Sequence, residues 1–102
     1  MNDNDTTTLK DAVTTWGTHA QLVMTLEECA ELSKEVAKTI RTKNITEGLA
    51  DEIADVGIML DQLRHIAVAM GDESLADRVA KRRAFKIERL RQHLADWKRD
   101  QL

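Results

Sequence analysis

Two short segments hold the residues whose types and spacing could do chemistry. Leu26-Glu27-Glu28-Cys29-Ala30-Glu31-Leu32 and Ala50-Asp51-Glu52-Ile53-Ala54-Asp55-Val56 share one pattern: apolar, acid, acid, any residue, Ala, acid, apolar. In a helix, residues three apart differ by about −60° around the axis and residues four apart by about +40°. Glu31 therefore lies between Glu27 and Glu28 on one arc, and Asp55 lies between Asp51 and Glu52. Each helix then presents three carboxylates beside the face expected to pack. Like charges at such spacings destabilise an isolated helix by about 0.2–0.5 kcal/mol per pair, and exclusion of water makes the repulsion worse. A proton, a Lys or Arg, or a cation must neutralise them. Oxygen-only ligands select hard ions, so the expected ion is Mg²⁺, with Mn²⁺ as a substitute. Glu28, Glu31, Glu52 and Asp55, two i, i+3 pairs from two helices, are the expected ligands. Acids decorate helices everywhere, and a single E-x-x-E would carry little; two matched triplets carry more. Glu35, Glu47 and Asp61 fall outside the pattern and are expected to be solvated. Cys29 follows an apolar stripe and is expected to be a small core residue.

The elements that must position these carboxylates read as four helices. Thr8 can cap a short helix, with Asp11 at its third position, running to about Trp16; Gly17 breaks it. Thr18 and Gln21 have capping-box form and open a long second helix. Its apolar series is Leu22, Leu26, Cys29, Val36 and Ile40, and Lys38, Arg41 and Lys43 gather at its end, where cations suit the helix dipole. Asn44 with Glu47 can open the third helix, whose stripe is Leu49, Ile53, Val56, Leu60, Leu63, Ala67 and Met70. Gly71 suits a helix end, and Asp72 or Ser74 can cap a fourth helix with Val79, Ile87, Leu90, Leu94 and Trp97. The expected organisation is a flexible tail over 1–7 and a single helical domain over 8–102.

Composition agrees and narrows the classes. The chain has 102 residues, 42% hydrophobic and 32% charged, with no proline and four glycines, which favours an all-α domain with no separate cofactor module. One cysteine excludes an internal disulfide and a multi-thiolate zinc cage, and His19, His65 and His93 share no ligand spacing. No apolar run approaches ~18 residues, so no membrane partner is expected. The polar, acidic start MNDNDTTT does not resemble a secretory signal, which points to the cytoplasm. The net charge of −3 hides an asymmetry: residues 1–77 carry six Lys/Arg and fifteen Asp/Glu, whereas residues 78–99 carry nine and two.

E-E-x-x-E followed after a spacer by E-x-x-D resembles the signature of the MazG-like, all-α nucleotide pyrophosphohydrolases. It is matched here by Glu27-Glu28-Cys29-Ala30-Glu31, twenty residues, then Glu52-Ile53-Ala54-Asp55. Trp16 closing the first helix and a late Lys86-x-x-Arg89-Leu90 are similar too, so the resemblance spans about residues 8–95. It implies a four-helix MazG-like bundle and Mg²⁺-dependent cleavage of a nucleoside triphosphate between its α- and β-phosphates, giving monophosphate and pyrophosphate. By motif position Glu28, Glu31, Glu52 and Asp55 are the implied metal ligands. Glu27 and Glu28 are the implied catalytic carboxylates, with Glu27 orienting the attacking water or a second ion. Phosphoribosyl-ATP pyrophosphohydrolases share the general architecture and are the nearest enzymatic alternative.

Cationic side chains should hold the outer phosphates. Lys34 is three residues after Glu31, and Arg82, Lys86, Arg89 and His93 form one stripe on the last helix. Trp16 is placed either to stack on a base or to pack. Ile58, Met59 and Ile66 fall off the third helix's main stripe, so that helix needs a second partner. This favours a bundle completed as a homodimer or homotetramer. The competing class is a non-catalytic helical interaction module, or a nucleic-acid binder using residues 78–99. It has no need of the paired acidic motif, so nucleic acid is not the expected partner.

Overall fold

The helix boundaries follow from local capping chemistry. The computed structural model describes residues 2–102 and contains, among them, four α-helices and no strand. The first, α1 (Asp3–Trp16), starts earlier than Thr8, because the Asn2 side chain accepts the Asp5 N–H at 2.8 Å, and Asp3 and Asp5 add negative charge to the first turn. Residues 3–7, expected as a tail, are thus helical. Gly17, with φ of +88°, makes the break into α2 (Thr18–Thr42). The expected capping box does not form, since Gln21 is drawn inward instead. Lys43 ends α2 in the left-handed region at φ 59°. Thr46, rather than Asn44, caps α3 (Glu47–Ala69), its hydroxyl accepting the Leu49 N–H at 3.2 Å. Gly71 turns the chain at φ +94°, and α4 (Leu75–Asp100) follows Ser74.

The chain divides into two compact units, one ending at Asp72 and the other spanning Glu73–Leu102. In the first, α2 and α3 pack along their lengths and α1 packs on both. The four-residue connection 43–46 makes α2 and α3 antiparallel neighbours. Their pairing repeats every seven residues: Gln21 meets Gln62, Glu28 meets Asp55, and Glu35 meets Gly48. Seven residues is two turns, so these are three levels of one seam about 10 Å apart. The apolar core of the unit is Val13, Leu49, Val56, Met59 and Ile66.

This seam corrects the expected faces. The sheltered positions of α2 are Thr18, Gln21, Thr25, Glu28, Leu32, Glu35 and Thr39, and only Leu32 is apolar. The stripe read as core faces outward: Leu26 is 72% exposed, Ile40 is 74% exposed, and Leu22, Cys29 and Val36 are also exposed. On α3, Met59 and Ile66, read as off-stripe, are buried, whereas Ile53 and Leu60 are 57% and 58% exposed. At 100° per residue both outward stripes stand about a quarter turn from the seam. In an antiparallel pair they fall on the same side, away from the side that carries α1.

The second unit is one long basic helix. It has no buried residue, and Val79, Ile87, Leu90, Leu94 and Trp97, expected to form a core stripe, are exposed. Its order comes from short-range pairs: Arg91 with Glu88, Arg99 with Asp96 at 3.3 Å, and the Arg82 and Arg89 guanidinium groups 4.9 and 5.9 Å from the Phe85 ring centre.

Candidate metal centre

The middle level of the α2–α3 seam is acidic. Glu28 comes from α2, and Glu52 and Asp55 come from successive turns of α3. One oxygen from each lies within 4.8 Å of the others, close enough to surround a single cation. Both α2 and α3 are continuous helices here, so the i, i+3 geometry of Glu52 and Asp55 is fixed by the backbone. Glu28 and Glu52 are half-buried in the seam, and Asp55 is exposed at its margin on the side away from the apolar face.

The electrostatics are those of like charges gathered at one level of the seam. Partial burial holds the Glu28 carboxyl above its ordinary value of 4.5; the charges of Asp55 and Glu52, a hydrogen bond with Asp55, and the charge of Glu31 push in the same direction. Glu52 is also raised, first by burial, then by Asp55, Glu31, Glu35 and Asp51. No Lys or Arg is among the groups that set either carboxyl. Oε2 of Glu52 is buried and, among the described residues, accepts no hydrogen bond. Such an oxygen costs free energy unless a proton or a cation reaches it.

Of the four expected ligands, Glu28, Glu52 and Asp55 are brought together, whereas Glu31 is exposed and outside the triad. Glu31 still acts on Glu28 and Glu52 through its charge. Glu27, Lys34 and Trp16 are all exposed, Trp16 by 66%. Lys86 and Arg89 lie exposed on α4, in the other unit.

Two expectations fail at this site. Glu35, read as solvated, is half-buried, and its Oε2 is enclosed without a hydrogen-bond partner among the described residues. Its sequence signal was the seven-residue step from Glu28, which keeps it on the seam. Cys29, read as core, is exposed because it belongs to the outward stripe.

One level further along the seam, sequence reasoning missed a second polar cluster. Gln62, 1% exposed, donates from Nε2 to the Leu9 carbonyl at 2.8 Å and to Gln21 Oε1 at 3.0 Å, tying all three helices of the unit together. An isolated Gln inside an apolar pattern gives little warning of this.

Compared with family models, curated proteins and solved structures, the chain matches none. The case for its chemistry therefore stands on its own carboxylates.

Proposed function

We propose that the protein is a Mg²⁺-dependent, MazG-like nucleoside triphosphate pyrophosphohydrolase that gives nucleoside monophosphate and pyrophosphate. The observation that carries this reading is the convergence of Glu28, Glu52 and Asp55 oxygens within 4.8 Å, with no cationic side chain among the groups that set the Glu28 and Glu52 carboxyls. The donor set fits the ion: oxygen ligands only, one enclosed oxygen on Glu52 without a hydrogen-bond partner among the described residues, and an open margin at Asp55. Glu28, Glu52 and Asp55 would hold Mg²⁺, with Glu31 adding its charge from outside the triad. When bound, the ion supplies charge neutralisation for the phosphates and acidifies coordinated water.

The remaining steps belong to the chain's own residues. The exposed Glu27 carboxylate, one residue before Glu28 and outside the triad, is available to accept a proton from the attacking water. Lys34, Lys86 and Arg89 carry exposed charges suited to phosphate oxygens, and Trp16 offers an exposed ring to a base. The apolar side of the α2–α3 pair supports a homodimer or homotetramer, because Leu22, Leu26, Val36, Ile40, Ile53 and Leu60 together exceed scattered surface exposure. Light scattering on the purified chain should then give a multiple of the 11.5 kDa protomer mass; a monomer at micromolar concentration would end the oligomer reading.

The decisive experiment resolves the products of each nucleoside triphosphate with Mg²⁺ in ¹⁸O-labelled water. Monophosphate and pyrophosphate should form in equal amounts. The label appears in the monophosphate if water attacks the α-phosphorus, and in pyrophosphate if it attacks the β-phosphorus. Orthophosphate with nucleoside diphosphate, or no turnover of any triphosphate, would overturn the reading.

A further inference from the structure

The lowest level of the seam pairs a charged side chain with an absence of side chain. Gly48 stands in the first turn of α3, and Glu35 of α2 lies directly over it. A Cβ on residue 48 would fall 2.9 Å from Glu35 Oε2, 3.1 Å from Cδ and 3.2 Å from Oε1, too close for the carboxyl group to stay. Glycine has a lower helix propensity than alanine. Here the missing side chain is what admits a carboxylate.

Solvation gives that carboxylate no reason to be there, because its Oε2 is enclosed and without a hydrogen-bond partner among the described residues. Its place has two consequences. It lies at the N-terminal end of α3, where the helix dipole favours negative charge. It also lies over the turn that leads into Glu52, four residues beyond Gly48 on the same face, and its charge reaches Glu52.

We propose that Glu35 is a positioning residue of the carboxylate triad, held in place by Gly48. It stays outside the ring of oxygens around the cation. It fixes the first turns of α3 against α2, and adds negative charge on the side of Glu52 remote from Asp55. A divalent ion entering the triad gains from that charge, which the isosteric amide would not supply. This rests on the metal reading above.

The experiment measures Mn²⁺ binding to the full chain, without nucleotide, by electron paramagnetic resonance, with circular dichroism as the check on folding. Glu35→Gln keeps shape and removes charge, and should weaken Mn²⁺ binding about three- to tenfold with helicity unchanged. Gly48→Ala keeps the charge and displaces it, and should weaken binding to a similar degree, because the end of a flexible side chain moves more easily than backbone. In a Glu35→Ala background, Gly48→Ala should have no further effect on binding, and should stabilise the helix. Glu28→Gln is the control, and should abolish binding.

Unchanged Mn²⁺ affinity in both Glu35→Gln and Gly48→Ala, with Glu28→Gln inactive in binding, would overturn the positioning role and leave the triad standing. Additive losses from Gly48→Ala and Glu35→Ala would overturn it too. No Mn²⁺ binding by the native chain would remove the triad reading and this proposal together.

Discussion

Two polar clusters share one seam between α2 and α3, two helical turns apart, and they are built on opposite principles. Gln21 and Gln62 are buried, neutral and bonded to each other, and Gln62 also reaches the Leu9 carbonyl of α1. Glu28, Glu52 and Asp55 are less buried, bear like charges, and leave an enclosed oxygen without a hydrogen-bond partner among the described residues. The amide cluster puts its hydrogen bonds into holding three helices together, although the buried Gln62 Oε1 finds no partner among the described residues. In the carboxylate cluster Glu28 bonds to Asp55, and Glu52 Oε2 has no hydrogen-bond partner among the described residues. Neutral buried groups whose bonds tie helices together read as architecture, and like charges gathered at one level read as a site.

The largest expected effect tests the acidic side of that contrast. Changing Glu28, Glu52 or Asp55 to its amide removes charge while keeping shape. Turnover of a nucleoside triphosphate should fall by more than about a hundredfold for each. The melting temperature of the metal-free chain should hold or rise, because repulsion is relieved. Near-native turnover in all three variants would remove the triad from the chemistry.

Truncating the amide cluster should have the reverse profile. Gln62→Ala opens a cavity, removes the tie to the Leu9 carbonyl and leaves Gln21 Oε1 without its donor, at a cost of about 2–4 kcal/mol in urea unfolding. Mn²⁺ affinity of the folded fraction should be unchanged. A large loss of affinity with little loss of stability would exchange the two roles and break the comparison.

These two clusters differ in how far the sequence discloses them. The carboxylates are legible because i, i+3 and i, i+4 spacing on a helix is independent of which way the helix faces. Glu28, Glu52 and Asp55 could therefore be grouped even though the facing of α2 was misjudged, whereas Glu31, grouped with them on the same spacing, falls outside the triad. That facing was not legible. The clean apolar stripe Leu22–Leu26–Cys29–Val36–Ile40 reads as core by periodicity, yet the sheltered positions are one residue earlier, at Gln21, Thr25, Glu28, Leu32, Glu35 and Thr39. An apolar stripe says that a helix has something to cover, and does not say whether the cover comes from within the chain. Helix number was legible from breaks at Gly17, 43–46 and Gly71; the cap at Asn2 was not, because Thr8 and Asp11 offer an equally good local pattern. Glu35 was lost for a related reason. Its place depends on a glycine thirteen residues later, a pairing that only the antiparallel register reveals.

The smallest expected effect is a pH dependence in which two half-buried groups of α3 pull against each other. Glu52, with Glu28 across the seam, has a folded-state pKa raised above its ordinary 4.5, chiefly by burial. An acid raised on folding contributes stability that is fully present below its unfolded value and is lost as pH rises through the folded value. His65 has the opposite sign. Burial lowers it from its ordinary 6.5, Arg64 and Lys10 lower it further, Asp61 partly opposes them, and its Nε2 is enclosed without a partner among the described residues. A base lowered on folding contributes stability that is present above its unfolded value and is lost as pH falls through the folded one. Above 4.5, up to their raised folded values, the carboxylates therefore make the metal-free chain less stable with rising pH, while below 6.5, down to its lowered folded value, His65 makes it more stable, and the two slopes oppose each other wherever these windows overlap. Melting temperatures across that window should separate the two. In a Glu28→Gln/Glu52→Gln double variant only the histidine remains, and stability should rise with pH. Mg²⁺ should produce the same rising profile in the native chain, because a bound cation holds the carboxylates ionised. If the double variant and the native chain keep the same slope, with and without Mg²⁺, the carboxylates are not the groups that sense pH, and the contrast between a neutral and a charged cluster fails at its electrostatic root.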